Sequence, residues 1–166
     1  MAFRVKTLAI AGGLVVAVAG TGRAQDLGID VGAAAPAVTV NALDGKTVDL
    51  SKYIGKTPVL IEFWATWCPN CRELMPTLLE TEKKYGKRVK FLALAVAINQ
   101  SPEKVRRWLA AHPLPHETLY DTDGKAAGAF DAPATSYVVV LDKTGRVVYT
   151  GLGGKQDLDA AIRKAL

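Results

Sequence analysis

The amino-acid sequence predicts an α/β domain with a mixed central β-sheet flanked by helices. Three apolar runs carry the sheet: Thr57–Trp64 (TPVLIEFW), Val89–Ile98 (VKFLALAVAI) and Thr135–Leu141 (TSYVVVL). Each is nearly continuous and of strand length, as expected of strands covered on both faces. A helical pattern lies between the first two, so a right-handed crossover makes them a parallel pair. Asp142-Lys143-Thr144-Gly145 turns the third run back into Arg146–Thr150, which adds an antiparallel strand.

In chain order, Arg4 and Lys6 precede an uncharged stretch from Thr7 to Gly22, and small residues surround a cleavage position after Ala24. About 16 apolar residues are short for a bilayer span, which needs about 20. Residues 1–24 are therefore expected to be a signal peptide, the alternative being a retained N-terminal membrane anchor. No cysteine lies near that boundary to accept a lipid. Residues 25–37, small and rich in Ala and Pro, are expected to be a flexible lead-in to a domain spanning 38–166.

Val38–Leu43 and Lys46–Leu50 flank Asp44-Gly45, a hairpin signal, and Ser51–Gly55 suits one helical turn. Cys68 to about Tyr85 reads as a helix with Leu74, Leu78 and Leu79 on one face, and Pro76 is expected to kink it. Ser101-Pro102-Glu103 gives a hydroxyl cap, a first-turn proline and an early acid, opening a helix that runs to about Ala111. Leu119–Phe130 holds Asp121-Thr122-Asp123-Gly124 and then an Ala-rich helical turn, so 99–130 reads as a central helical insert. Gln156–Leu166 is an amphipathic closing helix with Leu158, Ile162 and Leu166 inward.

The formal net charge of +5 includes Arg4, Lys6 and Arg23, leaving the rest of the chain at about +2 with scattered basic residues. That is no footprint for nucleic acid. The two cysteines, Cys68 and Cys71, are too few for a small disulfide scaffold. Two thiols three positions apart at a helix start suit redox or metal chemistry, since free N–H groups and the helix dipole stabilise a thiolate there. Arg72 follows Cys71 where c-type haem attachment needs His.

The segment Ile61-Glu62-Phe63-Trp64-Ala65-Thr66-Trp67-Cys68-Pro69-Asn70-Cys71, followed by Pro76, resembles the thioredoxin superfamily. The resemblance is closest to its exported TlpA- and ResA-like thiol–disulfide oxidoreductases, and it extends from Val38 to Leu166. It implies a thioredoxin fold with an N-terminal β-hairpin and a central insert. It also implies a cis proline at Ala132-Pro133, opposite the disulfide. One departure is that Leu74 stands where ResA-like members often carry glutamate. The buried acid expected here is Glu62, in the place of thioredoxin's buried aspartate.

On this reading Cys68 is the nucleophile, with a pKa below the unperturbed ~8.5, and Cys71, more buried, resolves the mixed disulfide. Glu62 is expected to have a raised pKa and to take the proton of Cys71. Pro69 and Asn70 tune the couple, Trp67 shields it, and Ala132 and Pro133 offer a peptide edge to the substrate. Trp64 is expected in the core. His112 and His116 read as solvated loop residues rather than metal ligands.

The expected function is an exported, periplasmic or otherwise extracytoplasmic protein disulfide reductase with no cofactor beyond the Cys68–Cys71 disulfide. Its partners would be protein disulfides, apocytochromes or copper-site proteins among them, and an upstream donor of the membrane thiol reductase kind. The alternative is a copper-binding or copper-delivery protein of related fold, which C-x-x-C spacing disfavours. A peroxiredoxin-like peroxidase is weaker still, since Ile61 and Ala65 occupy the positions where that chemistry places Pro and Thr or Ser.

Overall fold

A computed structural model describes residues 27–166, so the leader expected over 1–24 lies outside the described residues. At the Asp44-Gly45 turn, Gly45 takes φ +90°, a conformation that favours glycine. The turn joins β1 (Thr39–Ala42) to β2 (Thr47–Asp49), and Asp49 caps a short 3-10 turn at Leu50–Lys52. The apolar run then forms β3 (Val59–Trp64), in which all six side chains are buried.

Helix α1 (Pro69–Tyr85) follows, burying Cys71, Leu74, Leu78, Thr81 and Tyr85 along one stripe, with Leu79 half-buried beside it. Pro76 lies inside the helix without ending it. Next come β4 (Lys90–Val96) and α2 (Pro102–Ala111), capped by the Ser101 hydroxyl as its sequence suggests.

The central insert is not wholly helical. Glu117–Asp121 forms a strand, β5, before the short α3 (Lys125–Ala129). Its pattern, one half-buried end followed by Leu119-Tyr120-Asp121, is too short and too polar to announce a strand. Pairing on both sides creates it: β5 runs parallel to β4 and antiparallel to β1. It thereby joins the N-terminal hairpin to the sheet.

The chain closes with β6 (Tyr137–Leu141), β7 (Val147–Leu152) and α4 (Leu158–Arg163). The sheet order is β2-β1-β5-β4-β3-β6-β7, with β3, β4 and β5 parallel. Leu158 and Ile162 are buried as expected, but Leu166 is half exposed at 51 %. The helix ends at Arg163, and Ala165 rather than Leu166 is buried beyond it.

One face of the sheet packs Leu60, Val138 and Val140 against Leu74, Leu78, Leu158 and Ile162 of α1 and α4. On β3, Phe63 lies against Phe130 and Tyr137, with ring centroids 5.7 and 6.0 Å away. The described part of the lead-in is held rather than free. Ile29 N–H donates to Phe130 O at 3.1 Å, Gly32 N–H to Val147 O at 2.7 Å and Ala35 N–H to Gly145 O at 2.8 Å. Small residues let this segment lie close enough to β7 to make backbone bonds. Among the described residues no helix is long and apolar enough to cross a membrane.

Candidate active site

The carboxyl ends of the parallel strands β3, β4 and β5 point to one edge of the sheet, and β6 begins at the same edge. Antiparallel pairing fixes the latter, because Phe63 near the end of β3 faces Tyr137 at the start of β6. Loops from four strands therefore converge there, as at the binding edge of open α/β sheets.

Cys68 is the residue that turns β3 into α1. It holds extended backbone (φ −79°, ψ 115°) as the N-cap, its N–H donates to Ala65 O at 3.1 Å, and its Sγ accepts the Cys71 N–H at 3.1 Å. Pro69 occupies the first turn, where its missing N–H costs nothing. The two sulfurs are joined as a disulfide across a Cα–Cα distance of 5.4 Å. Both cysteines are almost equally buried, at 2 and 3 % exposed, which corrects the expectation that Cys71 is the deeper one. As the N-cap, Cys68 sits under the turn rather than on it. The exposed residues are its neighbours Trp67, Pro69 and Asn70.

Glu62 lies two residues beyond Leu60 on β3 and so shares its face, the one covered by α1 and α4. Its strand neighbours are Ala93 and Val138, which offer no side-chain polar partner, and its Oε1 makes no hydrogen bond among the described residues. Burial pushes the carboxyl up to about 8. Trp64 is buried with its ring centroid 5.0 Å from that of Trp108.

Trp67 is 39 % exposed, and its indole N–H donates to Ile98 O at 2.8 Å. Ile98, the Ala132-Pro133-Ala134-Thr135 loop and Ala127 line a largely apolar cavity of about 400 Å³ at this edge. The Ala132–Pro133 peptide is trans, since no described peptide bond is cis, and this corrects the expected isomer. The loop reverses instead through Asp131 (φ 46°) and Ser136 (φ 65°), and Ser136 N–H donates to Phe63 O at 2.8 Å.

The histidines part company. His112 is exposed and stacked on Trp108, whereas His116 is buried with Nδ1 2.6 Å from Glu82 Oε2, correcting its reading as a solvated loop residue. It leads directly into β5, the strand the sequence concealed. Among the described residues no three His, Cys, Asp or Glu side chains are grouped to hold a metal ion.

Two polar residues at this edge carry weak sequence signals. Asp121 is buried at the end of β5 and accepts the N–H groups of Ala126 and Ala127 at 3.0 and 2.8 Å. Gln100, in the polar pair directly after the β4 run, accepts the Thr66 N–H at 2.9 Å.

The Redoxin family profile matches residues 30–166. The thioredoxin-like protein YneN of Bacillus subtilis is 29 % identical over 143 residues, covering 83 % of this chain and 82 % of that protein. The thiol-disulfide oxidoreductase ResA of Bacillus cereus is 29 % identical over 139 residues, covering 82 % and 79 %. Among solved structures, a candidate thioredoxin from Neisseria meningitidis is 32 % identical with a TM-score of 0.65, covering 78 % of this chain and 89 % of that one. A candidate DsbE-type thiol:disulfide interchange protein from Chlorobium tepidum shares the fold, with a TM-score of 0.73 at 24 % identity over 82 % and 98 % of the two chains.

Proposed function

Because this chain belongs to the Redoxin family and is a thiol–disulfide oxidoreductase of the TlpA/ResA-like thioredoxin superfamily, we propose that it works outside the cytoplasm as a reductase of protein disulfides. The observation that carries the reading is the bonded Cys68–Cys71 pair at the start of α1, with Cys68 itself the cap.

In the reduced protein the Cys68 thiolate attacks one sulfur of a partner disulfide. The Cys68–partner S–S bond forms, the partner's own S–S bond breaks, and the released thiolate takes a proton from water. Cys71 then loses its proton and attacks Cys68 Sγ. The intramolecular disulfide closes, the Cys68–partner bond breaks, and the second partner thiolate takes a proton from water, so the partner leaves as a dithiol carrying away two electrons. Glu62, with a pKa raised to about 8, is the acceptor we assign to the Cys71 proton. An upstream dithiol, of the membrane thiol reductase kind, restores the starting state.

Trp67, Pro69 and Asn70 form the exposed rim, and the partner segment lies across it toward Ala132 and Pro133. The reducing direction is supported by the modest stabilisation available to the sulfur. Among the described residues a single backbone N–H reaches it, and Asn70 adds no charge, whereas a strongly oxidising couple needs a strongly stabilised thiolate. Export is supported by the basic and apolar pattern of residues 1–24.

Insulin-disulfide reduction tests the reading. Cys68→Ser abolishes it, and Cys71→Ser accumulates a mixed disulfide. A reduction potential at or below about −250 mV is expected, whereas one near −120 mV would reverse the direction. Stoichiometric copper uptake without exchange would replace the proposal with the metal-delivery alternative.

A further inference from the structure

We propose that Gln100 is the positioning residue of the dithiol, holding the turn that sets Cys68 at the start of α1. The inference rests on the reading of Cys68 as the attacking sulfur.

Beyond β4, the chain at Ala97–Gln100 passes alongside the Thr66–Trp67 loop. The Gln100 side chain joins the two. Its Oε1 accepts the Thr66 N–H at 2.9 Å, and its Nε2 donates to Val96 O at 2.6 Å. A backbone N–H can only donate and a carbonyl can only accept, so these partners fix which end of the amide is which. Asn99 takes φ 55° just before it, and the Gln100 carbonyl accepts the Tyr120 hydroxyl at 2.8 Å, fastening the segment to β5.

Thr66 is buried at 7 % exposed, so without Gln100 its N–H would be an orphan donor. It also sits inside the turn closed by Cys68 N–H to Ala65 O. That turn decides where the Cys68 sulfur lies against the first amides of the helix. Any rearrangement that pairs the Thr66 N–H elsewhere moves the sulfur from the Cys71 N–H. The thiolate is then less stabilised and the oxidised form gains. Gln100 touches neither sulfur and acts only through this turn.

Three variants of the full chain separate this role from a general structural one. Gln100→Met keeps the length and removes both hydrogen bonds. Gln100→Asn keeps the amide but is one methylene too short to span Thr66 and Val96. Tyr120→Phe loosens the same segment without touching Thr66. The readouts are thiolate absorbance of the reduced protein against pH and the disulfide-to-dithiol ratio at a fixed glutathione poise.

Either Gln100 variant raises the Cys68 pKa and raises that ratio by about threefold or more, while Tyr120→Phe leaves both where they are. The Asn variant carries the test should the Met variant not fold. Unchanged titration and ratio in a folded Gln100 variant, or an equal shift in Tyr120→Phe, would overturn the inference alone, because exchange by the unmodified protein would persist. Loss of exchange in the unmodified protein itself would overturn both.

Discussion

His116 Nδ1 lies 2.6 Å from Glu82 Oε2, joining the segment that leads into β5 to the buried side of α1. The imidazole is only 2 % exposed, its Nε2 has no hydrogen-bond partner among the described residues, and the Phe91 ring centroid is 6.4 Å away. This pair stands at the amino-terminal end of β4 and β5, the edge of the sheet remote from the disulfide.

Removing the Glu82 carboxylate leaves the second imidazole nitrogen buried without a partner. Glu82→Ala is expected to lower stability by about 1–3 kcal/mol. Urea unfolding measures that loss. Insulin reduction, assayed in folded protein, stays within about twofold of the unmodified rate, since the pair touches nothing at the site. A large drop in exchange would show the two edges of the sheet to be coupled.

Glu62 gives a pH-dependent prediction. Its folded pKa of about 8 lies above the unfolded value of 4.5, so the folded chain keeps a proton that the unfolded chain releases between those values. The contribution to stability is fully present below pH 4.5 and is lost as pH rises through 8. Glu62→Gln, which cannot ionise, is expected to be more stable than the unmodified protein at pH 7 to 8 by about 1–3 kcal/mol, and no more stable at pH 4. Urea titrations at the two pH values check it. The same variant is expected to slow release of the partner from a Cys68 mixed disulfide, because the assigned proton acceptor is gone.

Gly28 takes φ +99°, and a Cβ there would lie 2.0 Å from the Tyr137 hydroxyl oxygen. That hydroxyl accepts the Ile29 N–H at 3.1 Å. Gly28→Ala combines left-handed strain with a clash and is expected to destabilise the domain by about 1–3 kcal/mol. Thermal unfolding measures the loss. An unchanged midpoint would mean that the residues before β1 contribute nothing to the folded domain.

Trp67 presents an apolar face at the rim, and its N–H bond to Ile98 O holds one wall of the neighbouring cavity. Trp67→Ala is expected to raise the KM for a protein disulfide by about threefold to tenfold, with a smaller effect on a small-molecule disulfide. Parallel assays with insulin and a glutathione-sized substrate distinguish docking from chemistry. Equal effects on both would place Trp67 in the exchange step instead.

The parts legible in the sequence are those set by local chemistry or by an unbroken apolar pattern. Strand β3 and the cap of α2 belong here, as does the buried acid, since Glu62 interrupts a run too apolar to be exposed. Strand β5 was not legible, because Glu117–Asp121 owes its conformation to β1 and β4, which lie far away in sequence. The burial of His116 is hidden in the sequence for the same reason: the strand it leads into is internal.

The trans Ala132–Pro133 bond departs from the resemblance, which cannot register that Asp131 and Ser136 supply the reversal through positive φ. Gln100 carries no signal of its own, because a lone amide after a strand says nothing until Thr66 and Val96 are placed on either side of it. Ala165 in place of Leu166 follows from the early end of α4, where the C-cap is Lys164 and no glycine marks the stop in the sequence.

Because one atom, Cys68 Sγ, both caps the backbone ladder of α1 and is the sulfur we propose as the nucleophile, the leading turn of that helix is an indicator of oxidation state. An anionic sulfur accepts the Cys71 amide more strongly than a bonded one. Solvent exchange of that single amide proton is therefore expected to be slower in the dithiol than in the disulfide, so that a docking protein would meet a firmer or looser helix tip according to the electrons the pair carries.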